Sequence, residues 1–305
     1  MATALQQRRI PFSFDETTPF TWNPTNPEFT HLTNVFSLLA VGLERYIVAV
    51  MRDAIPRIED EDALDEANGF LKQEARHAAA HVLHLKALMK TYPGLQTVLD
   101  DCIARFEAIQ SNEPLDYRIA FIASLEATFT PLFKVFLDHE DNFFRPGDDR
   151  VASLFLWHFI EEVEHRSSAL VVFDAVVGRR RYLLKSFPRA LWQSAKIVFS
   201  IADGIDCVVP AEERLVSARA SVKSAGGIVE LLDRASFRHR DRNRMLTNVP
   251  TRELLRMNYR VVRSQSPKHD PAHQPLPEYA DEWLAAYERG ADVTRWFQET
   301  VKTST

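Results

Sequence analysis

The sequence predicts an almost entirely α-helical protein, and three observations carry that expectation. Glycine is scarce, at 9 of 305 residues. Few segments alternate with the period of two that a half-buried strand needs. Long stretches instead repeat apolar residues at steps of three and four, the spacing of one helix face. With 46% hydrophobic and 26% charged residues, the chain has an ordinary globular composition and can bury a sizeable core.

Residues 8–29, RRIPFSFDETTPFTWNPTNPEF, hold four prolines and several aromatics, and read as an extended arm on the surface of the fold. A first helix follows over about 30–54, with Val35, Leu38, Leu39, Leu43, Ile47 and Met51 at helical spacing, Glu44 among them and Pro56 as its stop. A second spans roughly 60–91, carries Glu74, His77, His81 and His84, and ends at Tyr92-Pro93-Gly94. A shorter helix near 97–111 leads to the breaker Asn112-Glu113-Pro114. The third long helix, about 115–139, has Glu126 as the lone acid in an apolar stretch and Pro131 as a kink. DNFFRPGDDR is a loop in which Asp148 or Asp149 caps a fourth long helix, and Gly178 ends that helix near 177. Beyond it the pattern predicts helices near 182–202, 211–235, 250–264 and 280–301, with a Pro- and His-containing segment before the last. The expected organisation is an arm (1–29), a bundle (30–178) and a helical C-terminal extension packed on it (179–305).

Two cysteines without Cys-x-x-Cys spacing exclude a disulfide framework and point to a reducing cytoplasm. No signal-peptide core and no unbroken apolar run of about 18 residues is found, so no transmembrane segment is expected. The stretch 186–209 reads as a core-facing or interface helix rather than an anchor. Net charge is −5, yet residues 178–263 carry 18 Lys and Arg against 8 Asp and Glu. Basic helices packed on an acidic bundle account for this asymmetry, as does an anionic partner or membrane surface. No nucleic-acid module accompanies it, and no nucleic-acid partner is expected. Gly-x-Ser-x-Gly and phosphate-cradling glycine loops are missing.

The chemistry sits in acids and histidines that recur inside apolar helices. Glu44 and Glu74 are 30 residues apart, Glu74 and Glu126 are 52, and Glu126 and Glu162 are 36. The outer gaps suit neighbouring antiparallel helices, and the middle one leaves room for a crossover: a four-helix bundle with one long connection. The second helix offers Glu74-Ala-Arg-His77 and the fourth Glu162-Val-Glu-His165. In each pair the residues three apart share a helix face. With Glu44 and Glu126 they make up the inventory of a carboxylate-bridged dinuclear metal site. Solvated helix faces with packed histidines are the simpler alternative, but Glu126 lies between Ile122, Leu125 and Phe129, where an unpaired carboxylate is costly.

This order of ligands resembles the ferritin-like di-iron carboxylate proteins. The pattern His158-x-x-x-Glu162-x-x-His165 is similar to the di-iron N-oxygenases acting on p-aminobenzoate-type arylamines, in which a third histidine joins the site. The region 30–175, and WHFIEEVEHR above all, also resembles a bacterial family catalogued as predicted metal-dependent hydrolases. The resemblance implies a ferritin-like bundle with Glu44, Glu74, His77, Glu126, Glu162 and His165 as ligands and His158 as a seventh. Glu161 competes with Glu162 because it also falls on the His158 and His165 side. Glu164 reads as a surface or supporting acid, and His81 and His84 as supporting donors, pocket liners or packed core histidines.

Carboxylates and imidazoles without thiolate suit two iron ions, with manganese or zinc as alternatives. An apolar lining from Ala40, Ile47, Ile122, Phe129, Phe133 and Phe155 favours a small apolar or aromatic substrate. The leading expectation is an O2-activating di-iron oxygenase or oxidase, with O2 as co-substrate and an electron donor as partner. A metal-dependent hydrolase and a non-catalytic iron-binding protein are the alternatives. A homodimer is among the assemblies the sequence allows.

Overall fold

Asn26 starts the first helix. Its side-chain oxygen accepts a hydrogen bond from the Phe29 N–H, and Pro27 takes the first helical position, where no backbone donor is needed. The computed structural model describes residues 5–235, 244–266, 268–269 and 278–298, and in it this helix, α1, spans Pro27–Ala54. Asp60 caps α2 (Glu61–Thr91) by accepting from the Ala63 N–H. Then follow α3 (Leu95–Asn112), α4 (Leu115–Asp138), the single-turn α5 (Glu140–Phe143), α6 (Asp149–Glu164) and α7 (Ser168–Val176). The C-terminal part holds α8 (Arg180–Val208), α9 (Ala211–Arg214), α10 (Ala218–Ser224), α11 (Ile228–Ala235), α12 (Thr251–Ser264) and α13 (Glu278–Glu288). No strand occurs among the described residues.

The long helices close a ring of contacts. α1 packs along α2, α2 against α6 and α7, these two against α4, and α4 back against α1. The crossover helix α3 lies outside the ring on α1 and α8. Within the extension, α8 runs across α1, α3 and α4, and its Ile197, Ile201 and Ile205 are buried in the same core as α1 and α4. α10 covers α1 and α8, and α12 covers α4. α1 and α4 are long and apolar enough to cross a membrane, but 83% and 78% of their apolar windows are buried inside the bundle, as core helices must be.

The structure corrects four expectations. The fourth long helix is two helices: α6 ends at Glu164, His165 leaves the helical conformation, and Arg166 Nη1 donates to the Val163 carbonyl at 2.7 Å, satisfying an end group of α6. The helix expected over 211–235 is three pieces, broken at Leu215 (φ 64°) and at Gly227 (φ 69°), where the left-handed conformation favours glycine. The last helix stops at Glu288, before Gly290, and resumes as a 3-10 turn at Val293–Arg295; its expected end at 299–301, like much of the preceding Pro- and His-containing segment, lies outside the described residues. Finally, the arm is partly inside the fold. Arg8, Phe12, Phe20 and Trp22 are buried. The Trp22 ring packs so tightly on Gly147 that a Cβ there would lie 2.4 Å from it, and Trp22 Nε1 donates to Thr33 Oγ1 at 3.0 Å. Large aromatic faces seeking burial override the extended, proline-rich backbone that placed the arm on the surface. Pro131 lies inside α4, where the sequence placed it.

Candidate metal centre

Four of the ring helices, α1, α2, α4 and α6, bring acids and imidazoles to a single buried space. Glu44 comes from α1, Glu74 and His77 from α2, Glu126 from α4, His158 and Glu162 from α6, and His165 from the residue that caps α6. None is more than 4% exposed. One ligand atom from each of Glu44, His77, His158 and Glu162 lies within 4.8 Å of the others, and the same holds for Glu74, Glu162 and His165.

Glu162 belongs to both groups through different oxygens. Its Oε1 is 2.9 Å from His158 Nε2 and 3.6 Å from His77 Nδ1, while its Oε2 is 3.4 Å from His165 Nε2. Glu44 Oε1 stands 3.3 Å from His158 Nε2. On the other side, Glu74 Oε1 and Glu126 Oε2 stand 3.3 and 3.6 Å from His165 Nε2. Glu74 and His77, three apart on one helix, therefore fall into different groups. A shared helix face alone would let both reach one metal.

The outer partners of the histidines leave one ring nitrogen of each toward the cluster. Gln73 Nε2 donates to the Gln6 carbonyl, so Gln73 Oε1 is free to accept from His165 Nδ1 at 3.1 Å. Glu161 accepts from His77 Nε2 at 2.9 Å and from Arg8 Nη1 at 3.0 Å, and Arg8 also holds Glu164 at 2.7 Å. His158 Nδ1 shares a 2.6 Å hydrogen bond with His81 Nε2, and Ser37 Oγ joins His81 to His84. Imidazoles oriented from behind in this way are a recurrent feature of metal ligation. Glu161 is thus turned outward to Arg8 while Glu162 faces the cluster. Arg8, Gln73 and Ser37 carry no motif: the first lies in the arm, and the other two are polar residues whose partners are set only by folding.

The electrostatics are those of a site built for cations. Burial drives the carboxyls of Glu44 and Glu74 well above the usual range, with neighbouring acids adding to the effect at both, and pushes Glu126 up to about 7. Glu162 is held well below its ordinary value: burial opposes ionisation, but the charge of His165 and the hydrogen bond from His158 outweigh it. Against the cost of burial, Glu161 and its neighbours raise His77 to about 9, and Glu162 and Glu126 raise His165 well above its ordinary value. Burial lowers His158 and His84 to about 4 and holds His81 well below its ordinary value. Both oxygens of Glu74, Oε2 of Glu44, Nδ1 of His77 and Nε2 of His165 have no hydrogen-bond partner. Orphaned acceptors at this depth cost on the order of several kcal/mol per ion unless a cation neutralises them, so the donor set fits bound metal.

An apolar cavity of about 150 Å³ lies beside the cluster. Phe36, Phe129, Phe133 and Phe159 line it, with Val198 of α8 and Val222 of α10 among its walls. The Phe36 ring also stands 5.1 Å from the His158 ring, so it separates cavity from cluster. Thr33 is the polar residue in the lining, and its hydroxyl is engaged by Phe29, Thr30 and Trp22. Of the expected lining, Phe129 and Phe133 are in place. Ala40, Ile47, Ile122 and Phe155 are buried in the core instead, and Phe155 packs on His81 and His84.

Fold and cluster together define an all-helical metal-binding protein. The chain belongs to the family described as predicted metal-dependent hydrolases, whose model matches residues 6–271 and so takes in Arg8 and the entire cluster. No curated protein and no solved structure matches it.

Proposed function

We propose that this chain is a metal-dependent hydrolase with two metal ions held by Glu44, Glu74, His77, Glu126, His158, Glu162 and His165. The observation that carries the reading is Glu162, whose two oxygens address two separate sets of donors; the family description supports the reaction class. Bound metal in such a site supplies polarisation of a carbonyl or phosphoryl oxygen and a water acidic enough to attack it at neutral pH. The chain's own residues set the conditions for that chemistry. Arg8 fixes Glu161, which orients His77, and Gln73 orients His165. Phe36, Phe70 and Trp157 pack on the imidazoles and keep bulk water away. The cavity behind Phe36 receives the apolar part of a small substrate.

A second reading rests on that cavity. Four carboxylates and three imidazoles without thiolate suit iron or manganese, and walls made almost wholly of hydrocarbon suit an O2-dependent oxygenase or oxidase of ferritin-like architecture acting on an apolar or aromatic compound. A non-catalytic iron-binding role has no use for such a chamber. Assays on the protein loaded with zinc, manganese or iron(II) separate the readings. Ester or phosphoester cleavage under anaerobic conditions and without reductant supports the hydrolase. Turnover that demands both O2 and an electron donor replaces it with the oxygenase. In either case we place the protein in the cytoplasm.

A further inference from the structure

One helix of the extension presents a surface that the cluster does not explain. α12 buries Leu254, Met257 and Ser264, with its contact on α4, and leaves Leu255, Tyr259 and Val262 exposed at 56%, 62% and 75%. At 100° per residue these three fall within about 60° of arc, and Arg252, Arg256, Arg260 and Arg263 fill the next 80° or so. None of the four guanidinium groups has an ion-pair partner among the described residues; Glu253, the acid of this helix, pairs instead with His139. Many other surface arginines are paired, as Arg118 is with Asp53 and Arg219 with Asp203. α11, packed against α12, adds Ile228 and Leu232 at 58% and 65% exposure, four residues apart on one face.

We propose that α12, with the apolar edge of α11, docks this protein on an anionic lipid bilayer. A strip of hydrocarbon beside a strip of arginine without ion-pair partners is the geometry of a helix lying in a membrane interface: the apolar residues enter the acyl boundary, the guanidinium groups meet the headgroup phosphates, and Tyr259 suits the level between them. Charge complementarity selects this occupant. A second copy laid face to face brings eight arginines together without a counter-charge. A nucleic acid offers nothing to an aliphatic strip.

The test is co-sedimentation of the full chain with vesicles of phosphatidylcholine alone or mixed with phosphatidylglycerol, at physiological salt. Binding is expected to the anionic vesicles and not to the neutral ones. R256E/R263E and L255N/V262N should each weaken it about tenfold or more, with melting temperatures unchanged because all four positions are exposed. Y259W should show a blue-shifted fluorescence component on the anionic vesicles. Absence of binding to anionic vesicles overturns the proposal. So does full binding by L255N/V262N, or capture by an acidic polypeptide or DNA in place of vesicles.

Discussion

His77 donates a hydrogen bond from Nε2 to Glu161 at 2.9 Å, and Glu161 is held in turn by Arg8 at 3.0 Å, a residue 153 positions earlier in the chain. The unpaired Nδ1 of His77 therefore faces Glu162. R8Q should leave the metal-binding residues intact but free Glu161 to turn away, weakening metal affinity about 10- to 100-fold. Metal titration against a competing chelator measures it. An unchanged affinity shows that the arm only covers the site.

Glu162 and Glu44 should differ in their loss. E162Q removes the oxygen pair common to both donor groups and is expected to take metal content from about two per chain to near zero, whereas E44Q, touching one group, should leave about one. Elemental analysis of the two purified variants decides, with melting curves to confirm folding. Equal losses would refute the shared role of Glu162.

Metal uptake should release protons and weaken with acid. Without metal, the raised values of Glu126 (about 7) and His77 (about 9) mean that falling pH adds protons to ligand atoms between pH 9 and 7. Metal must displace those protons, so apparent affinity is fully developed at the alkaline end of that window and declines below it. Calorimetry in buffers of different ionisation enthalpy counts the protons released.

Removing metal should also lower stability, because the buried acids lose their counter-charge. At metal concentrations about 100-fold above the dissociation constant, binding contributes roughly 2.7 kcal/mol, a melting shift of about 4 °C for a chain of this size. E162Q should show no such metal-dependent shift.

The two cysteines should react differently. Cys102 is buried, its thiol pushed up to about 12 mainly by burial, and its Sγ faces the Leu38 carbonyl. Cys207 is exposed. A thiol reagent should count one group in the native protein and two after denaturation; two fast groups in the native state would mean that the α1–α3 contact opens readily.

The helices and the cluster were legible for one physical reason: acids and histidines at steps of three and four inside apolar runs have nowhere to point but inward. Glu126 among Ile122, Leu125 and Phe129 is the clearest case. What the sequence hid depends on contacts distant in the chain. Nothing local marks Arg8 as the partner of Glu161, or Phe36 as the wall between His158 and the cavity. The split of Glu74 and His77 between two donor groups is also invisible to spacing, since a shared helix face does not fix which neighbour each side chain meets. The break at His165 went unseen because no proline or glycine marks it; Arg166 supplies the end cap through its side chain.

The central claim is that the buried acids and imidazoles of α1, α2, α4 and α6 exist to hold a pair of metal ions. Elemental analysis of the protein purified without added metal tests it most directly. About two transition-metal ions per chain is the expected result, falling to near zero in E162Q. A folded, metal-free protein that takes up none when offered iron, manganese or zinc would contradict the account.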